Sequence, residues 1–269
     1  MPIFQNSGKP LNKVSMSIDI NELLIIAREA GKAILKIYND PEKAGEIMFK
    51  ADHSPLTLAD QASNEVITNR LKILTPDIPI LSEEGRNIPY SERKNWEYFW
   101  CVDPLDGTKE FVKRNGEFTV NIALIHDQTP VLGVIYVPVT DTMYYAGEQT
   151  GGWKIDTNGN KTALQVNNKS SDWTAVGSRT HSAPQEAELL AKYPVVKSVS
   201  IGSSLKFCLL AEGLAQIYFR QGPTMEWDTA AGQAILTLSG GSLTKPDGTP
   251  FLYNKESLLN GSFLCIVNA

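Results

Sequence analysis

The chain has 269 residues, 42% of them hydrophobic and 20% charged, with a net charge of −5. This is the balance of a globular protein with room for one large or two closely joined domains; it excludes a disordered chain, and the acidic charge speaks against a polymeric DNA or RNA partner. No run of about 18 apolar residues is present, so no transmembrane helix is expected.

Residues 1–17 are polar, contain proline and glycine, and lack the apolar stretch of a secretory leader, so they read as a flexible tail. Asp19 or Ser17 can cap a helix over 19–38, on which Leu23, Leu24, Ala27, Ala30, Ile34 and Ile37 recur at helical spacing. A short strand over 46–50 precedes a second helix, led in by Ser54-Pro55-Leu56-Thr57 and closed by Pro76. Asp60 falls in its first turn, where an acid complements the helix dipole.

Strands are expected over 78–81, 98–102, 118–125, 131–137 and 143–146, with Gly151-Gly152-Trp153 as punctuation. The rhythm then changes to alternating strands and helices: strands at 174–177, 195–201, 215–219, 242–244 and 262–267, and helices at 184–191, 203–212 and 227–238. The first part reads as two helices and a mostly antiparallel sheet, and the second as an α/β layer, with a boundary near Asn158. Cys101, Cys208 and Cys265 are widely spaced among apolar neighbours and read as reduced core residues of a cytoplasmic protein.

Two stretches are loaded with acid. Asp103-Pro104-Leu105-Asp106-Gly107-Thr108 ends an apolar run, and Ser82-Glu83-Glu84 ends another, so Glu83 and Asp103 close successive strands that can lie side by side. Two carboxylates three residues apart repel unless a cation sits between them. Taken alone, this is an Asp-rich turn with equal claim to be a metal site. Trp227-Asp228-Thr229-Ala230-Ala231-Gly232 opens a helix with an acid, which either complements the dipole or serves as a metal carboxylate beside free N–H groups. Every candidate ligand is an oxygen, the donor set of Mg²⁺ rather than zinc.

These motifs, in this order, resemble the inositol monophosphatase superfamily of magnesium-dependent, lithium-sensitive phosphatases, over residues from about 19 to the C-terminus. Lys109 after Gly107-Thr108, the stretch Arg114-Asn115-Gly116-Glu117-Phe118-Thr119-Val120-Asn121, and Gly202-Ser203-Ser204-Leu205-Lys206 are similar to its CysQ-type 3'(2'),5'-bisphosphate nucleotidases. Leu238-Ser239 depart from the Glu-Ala that many relatives carry before Gly240-Gly241, which bears on helix packing and not on ligation.

The resemblance implies a layered αβαβα sugar-phosphatase fold of the α+β class. It divides into a metal-binding part over 18–158 and a nucleotide-binding part over 159–269. It implies that Glu83, Asp103 and the Leu105 carbonyl hold one Mg²⁺, and that Asp103, Asp106 and Asp228 hold a second. Asp60 reaches a third metal and, with Thr108 and Glu83, takes the proton of the attacking water. Gly107 and Thr108 offer N–H groups to the phosphate. His181, Ser203, Lys206 and Arg220 contact the adenosine and its other phosphate. On the residues alone, Lys206 and Arg220 read as exposed surface charges and His181 as a loop residue.

The implied reaction is hydrolysis of 3'-phosphoadenosine 5'-phosphate, and of its phosphosulfate, in sulfur assimilation. The resemblance also allows attachment to the cytoplasmic face of the inner membrane. Inositol phosphate or fructose 1,6-bisphosphate hydrolysis is the rival within the class, and a non-catalytic nucleotide sensor the rival outside it.

Overall fold

The computed structural model describes residues 18–40, 42, 47–49, 55–169, 171–179 and 184–267; the expected tail over 1–17 and His181 lie outside them. Helix α1 (Ile20–Tyr38) is capped by Asp19, whose carboxylate accepts the Asn21 N–H at 2.9 Å. Strands β1 (Ile47–Phe49) and β2 (Pro55–Thr57) form an antiparallel ribbon that feeds α2 (Leu58–Leu74). Then follow β3 (Ile80–Ser82), a single turn α3 (Tyr90–Arg93), β4 (Tyr98–Asp106), the short α4 (Thr108–Val112), β5 (Thr119–His126), β6 (Thr129–Val137), β7 (Thr142–Gly147), β8 (Gly151–Ile155) and β9 (Lys161–Ala163). The remainder is β10 (Trp173–Gly177), α5 (Pro184–Leu190), β11 (Val195–Ser200), α6 (Leu205–Ala211), β12 (Ile217–Arg220), β13 (Thr224–Met225), α7 (Glu226–Leu238), β14 (Gly241–Thr244), β15 (Leu259–Asn260) and β16 (Phe263–Val267).

Among the described residues, β3 to β9 form a seven-stranded sheet in sequence order, antiparallel except for the parallel β3–β4 pair. A five-stranded sheet runs in the order β11-β10-β12-β16-β14. Strand alternation divides the interior into layers. Trp100 and Val102 of β4 share a core with Leu23, Ala27 and Ile34 of α1 and Ile67 and Leu71 of α2. Phe99 and Cys101 face the other way, into a core with Phe207 and Leu210 of α6 and Ala230, Ala231 and Ile235 of α7. That second core also takes Tyr218, Phe263 and Cys265 from the five-stranded sheet. Ala175, Ile217 and Phe219, on that sheet's far side, pack with Leu189 and Leu190 of α5. The stacking is therefore helices, sheet, helices, sheet, helix, the expected αβαβα order.

Helix α7 lies very close to the seven-stranded sheet because β6 offers no side chain at Gly133. A Cβ there would stand 2.6 Å from the Ala231 carbonyl oxygen and 2.8 Å from the Ala234 Cβ. Three local expectations are corrected. Gly151 and Gly152 do not interrupt the sheet; they begin β8, where Gly152 pairs with Ala146. Strand β4 runs on through the first acidic motif to Asp106. The turn expected after Asp106 is a single residue, Gly107, because Thr108 already starts α4. Cys101, Cys208 and Cys265 are free and buried, as expected.

Candidate active site

The parallel register of β3 and β4 places the first two acids together. Ser82 pairs with Val102, and the Glu83 N–H continues the ladder to the Val102 carbonyl at 3.1 Å, so Glu83 and Asp103 leave adjacent strand ends. Asp103 shares strand parity with Phe99 and Cys101 and so points toward α7. Helix α7 brings Asp228 in its first turn, where the carboxylate accepts the Met225 N–H at 2.7 Å. Carboxylate oxygens of Glu83, Asp103 and Asp228 all lie within 4.8 Å of one another.

Asp103 is only 2% exposed, and Leu105 donates its N–H to Asp103 Oδ1 at 3.0 Å. Burial drives the Asp103 carboxyl well above the usual carboxylate range, and Glu83, Asp106, Asp228 and Asp60 drive it further. Asp228 is raised for the same reasons, burial first and Asp106 next, with the Met225 amide opposing. Three converging acids that lose hydration and repel one another are a poor arrangement without a cation and a good one around it. The donor set, all oxygen, fits a hard divalent ion.

The ladder between β4 and β5 shifts register between Asp103 and Asp106, and this turns the end of the motif. Gly107 follows at φ +95°, a conformation that a side chain would strain, and reverses the chain into α4. Asp106 accepts a short hydrogen bond from the Ser204 hydroxyl and a long one, 3.4 Å, from the Asn121 amide. Asn121 also donates to Ser204 Oγ at 2.6 Å and accepts from the Thr119 hydroxyl at 3.0 Å.

Asp60, 2% exposed, is held by the Thr57 N–H at 2.8 Å and the Thr57 hydroxyl at 2.6 Å, a capping box that opens α2. Its other oxygen accepts from the Thr108 hydroxyl at 3.4 Å. Ser63 of α2 donates to the Pro104 carbonyl at 2.7 Å, tying the helix to the motif. The Leu105 side chain is buried in the core beside α1, which leaves its backbone as the part able to serve the site.

A cavity of about 250 Å³ gathers Glu83, Asp106, Gly107, Thr108 and Asp228 with Ser203, Lys206 and Arg220. Asp60, Asp103 and Leu105 stand behind its wall. Lys206 and Arg220 are not the exposed charges that their sequence context implies: they are 7% and 8% exposed. Lys206 Nζ donates to the Ser203 carbonyl at 2.5 Å, and burial lowers its pKa while Asp106 opposes that fall. Arg220 Nε and the Ser203 hydroxyl are buried with no partner among the described residues, so the cavity wall carries donors that these residues leave unused.

Sequence reading gave no role to Thr57, Glu110 or Arg179, nor to Glu117, Asn121 and Ser204, which it quoted only as part of the resemblance. Thr57 was findable, because Thr-x-x-Asp ahead of an apolar helix is a capping-box signature. The others owe their place to contacts between distant segments.

Residues 19–265 match the inositol monophosphatase family. The chain is 46% identical over 245 residues to the 3'(2'),5'-bisphosphate nucleotidase CysQ of Escherichia coli K12, covering 91% of this chain and 98% of that one. It is 47% identical to the Salmonella typhimurium CysQ over the same length. The crystal structure of CysQ from Bacteroides thetaiotaomicron superposes with a TM-score of 0.81 at 41% identity, covering 94% of this chain and 99% of that one.

Proposed function

The chain belongs to the inositol monophosphatase family, and from that premise we propose that it is a Mg²⁺-dependent 3'(2'),5'-bisphosphate nucleotidase. It hydrolyses 3'-phosphoadenosine 5'-phosphate to 5'-AMP and phosphate, and the corresponding phosphosulfate as a second substrate, in the cytoplasm and in support of sulfur assimilation. The observation that carries the substrate is the burial of Lys206 and Arg220 in the same cavity as the metal-binding acids. A monophosphate would occupy the acidic part and leave two buried cations unused. A bisphosphate gives them an anion, and Arg220 a fork for it.

Glu83, Asp103 and the Leu105 carbonyl would hold one Mg²⁺, and Asp103, Asp106 and Asp228 a second, with Asp60 beside a third position. Bound there, the ions would supply neutralisation of the phosphate oxygens and a lowered pKa for water. The chain's own groups do the rest. Gly107 and Thr108 present N–H groups to the phosphate. The Thr108 hydroxyl, hydrogen-bonded to Asp60, accepts the proton of the attacking water and relays its own to that carboxylate, with Glu83 as a further acceptor. Residues 18–158 supply all of these groups but Asp228. Residues 159–269 supply the nucleotide contacts: Ser203, Lys206 and Arg220 to the other phosphate, and His181 to the adenosine.

The test is phosphate release from 3'-phosphoadenosine 5'-phosphate, inositol 1-phosphate and fructose 1,6-bisphosphate at one fixed Mg²⁺ concentration. The nucleotide should be turned over fastest. Equal turnover of inositol 1-phosphate would remove the substrate assignment, and no release across a range of Mg²⁺ would favour the sensor.

A further inference from the structure

Glu110 lines the cavity beside Ser203 and Lys206, yet none of the groups in the mechanism uses it. It is 8% exposed. Its own backbone N–H donates to the carboxylate, no other described residue does so, and Lys206 reaches it only as a charge at a distance. Burial raises its pKa, and Asp106 adds to the rise. A buried acid that has only its own amide as a donor, in the wall of a pocket built for a polyanion, costs stability and repels phosphate. It serves binding only if the ligand brings it a neutral donor.

The position says which donor. Glu110 Oε2 lies 3.4 Å from where a Gly107 Cβ would be, and its Cγ lies 2.6 Å from where a Gly202 Cβ would be. The carboxylate therefore sits between the N–H groups that face the transferred phosphate and the turn that carries Ser203. On a 3'-phosphorylated ribose, the hydroxyl vicinal to the phosphate is the 2'-OH; the adenine amine is several bonds further away. We infer that Glu110 is a specificity-determining residue that accepts a hydrogen bond from the ribose 2'-hydroxyl next to the phosphate being removed. The assignment rests on the nucleotidase reading. The same charge disfavours a second phosphate at that carbon.

The experiment is a cycle of two substrates and three proteins. kcat/KM is measured for 3'-phosphoadenosine 5'-phosphate and its 2'-deoxy analogue with the wild type, Glu110→Ala and Glu110→Gln. The wild type should prefer the ribonucleotide by about 10-fold to 100-fold, the range for a hydrogen bond to a charged group. Glu110→Ala should reduce the preference to about twofold or less, whatever it does to turnover of the deoxy analogue, because the cycle compares the two substrates within each protein. Glu110→Gln, with the same length and a carbonyl acceptor, should keep part of it, and it carries the test if the alanine variant does not fold. A wild-type preference that persists in both variants overturns the inference, as does equal turnover of the two substrates by the wild type. Turnover of neither substrate by the wild type overturns the nucleotidase reading, and the role of Glu110 with it.

Discussion

Ser204 donates its hydroxyl to Asp106 across 98 positions of sequence. An acid at the end of β4 is thus aimed by a residue from the turn that opens α6, so the two parts of the chain meet at one proposed ligand. Such outer partners fix a ligand's orientation, and losing one commonly costs about 10-fold to 100-fold in metal affinity or activity. Ser204→Ala should raise the Mg²⁺ needed for half-maximal phosphate release by about that factor, with an unchanged circular dichroism spectrum. An unchanged Mg²⁺ titration would show that Asp106 needs no such support.

Asp228 and Asp103 both have carboxyl pKa values raised by burial and by neighbouring acids. In the metal-free protein, groups raised on folding contribute most below their unfolded pKa, about 3.9, and that contribution is lost as pH rises through the folded value. With EDTA at neutral pH, Asp228→Asn should therefore melt higher than the wild type, and the difference should shrink as the pH is lowered toward about 4. Mg²⁺ at a hundred times its Kd should raise the wild-type Tm by about 5–10 °C and the variant's far less. Equal Mg²⁺ shifts in a thermal melt would place the ion away from Asp228.

Thr57 serves Asp60 and α2 together, through N–H and hydroxyl donors to the same carboxylate oxygen. Thr57→Val keeps the shape and the N–H and removes the hydroxyl. It should cost about 1 kcal/mol of stability as a lost cap and lower kcat more than it raises KM, because the proposed proton relay from Thr108 ends on Asp60. A stability loss in urea melts with full kcat would separate Asp60's capping role from catalysis.

Glu117 clamps two segments at the nucleotide cavity: it accepts from Arg179 Nε at 2.8 Å and from the Gly202 N–H at 2.8 Å. The Arg179 hydrogen bond is the main reason its carboxyl lies below the usual range. A depressed carboxylate stabilises above its unfolded pKa, about 4.3, and loses that contribution as pH falls through the folded value. Glu117→Gln should melt lower than the wild type at neutral pH and converge with it toward about pH 3. The drop should be small, because the Arg179 side chain is 50% exposed and its charge is screened. A difference that stays constant over this pH range would assign the effect to packing.

The acids were legible because each ends an apolar run or opens a helix, a pattern that local spacing carries. The layered fold was legible through the resemblance; spacing alone read as two helices with a mostly antiparallel sheet, followed by an α/β layer. The small strands β8, β9, β13 and β15 were not. Gly151 and Gly152 have turn composition, and only pairing with β7 makes them strand. Lys206 and Arg220 look like surface charges until α6 and β12 pack, and burial is a tertiary property. The same holds for Asn121, which is one polar residue in an apolar strand until Ser204 and Asp106 meet it.

Gly133 is itself no candidate ligand, yet it sets how closely α7 can approach β6. Asp228 rides on α7, whereas Glu83 and Asp103 ride on the sheet. The spacing of the three carboxylates is thus a ruler whose length is the thickness of one helix–sheet contact. A methyl group at position 133 would lengthen that ruler by pushing on backbone, without touching an acid or the cavity. For the proposed metal site, the fit to a small hard cation or a larger one would thus depend partly on the apolar core.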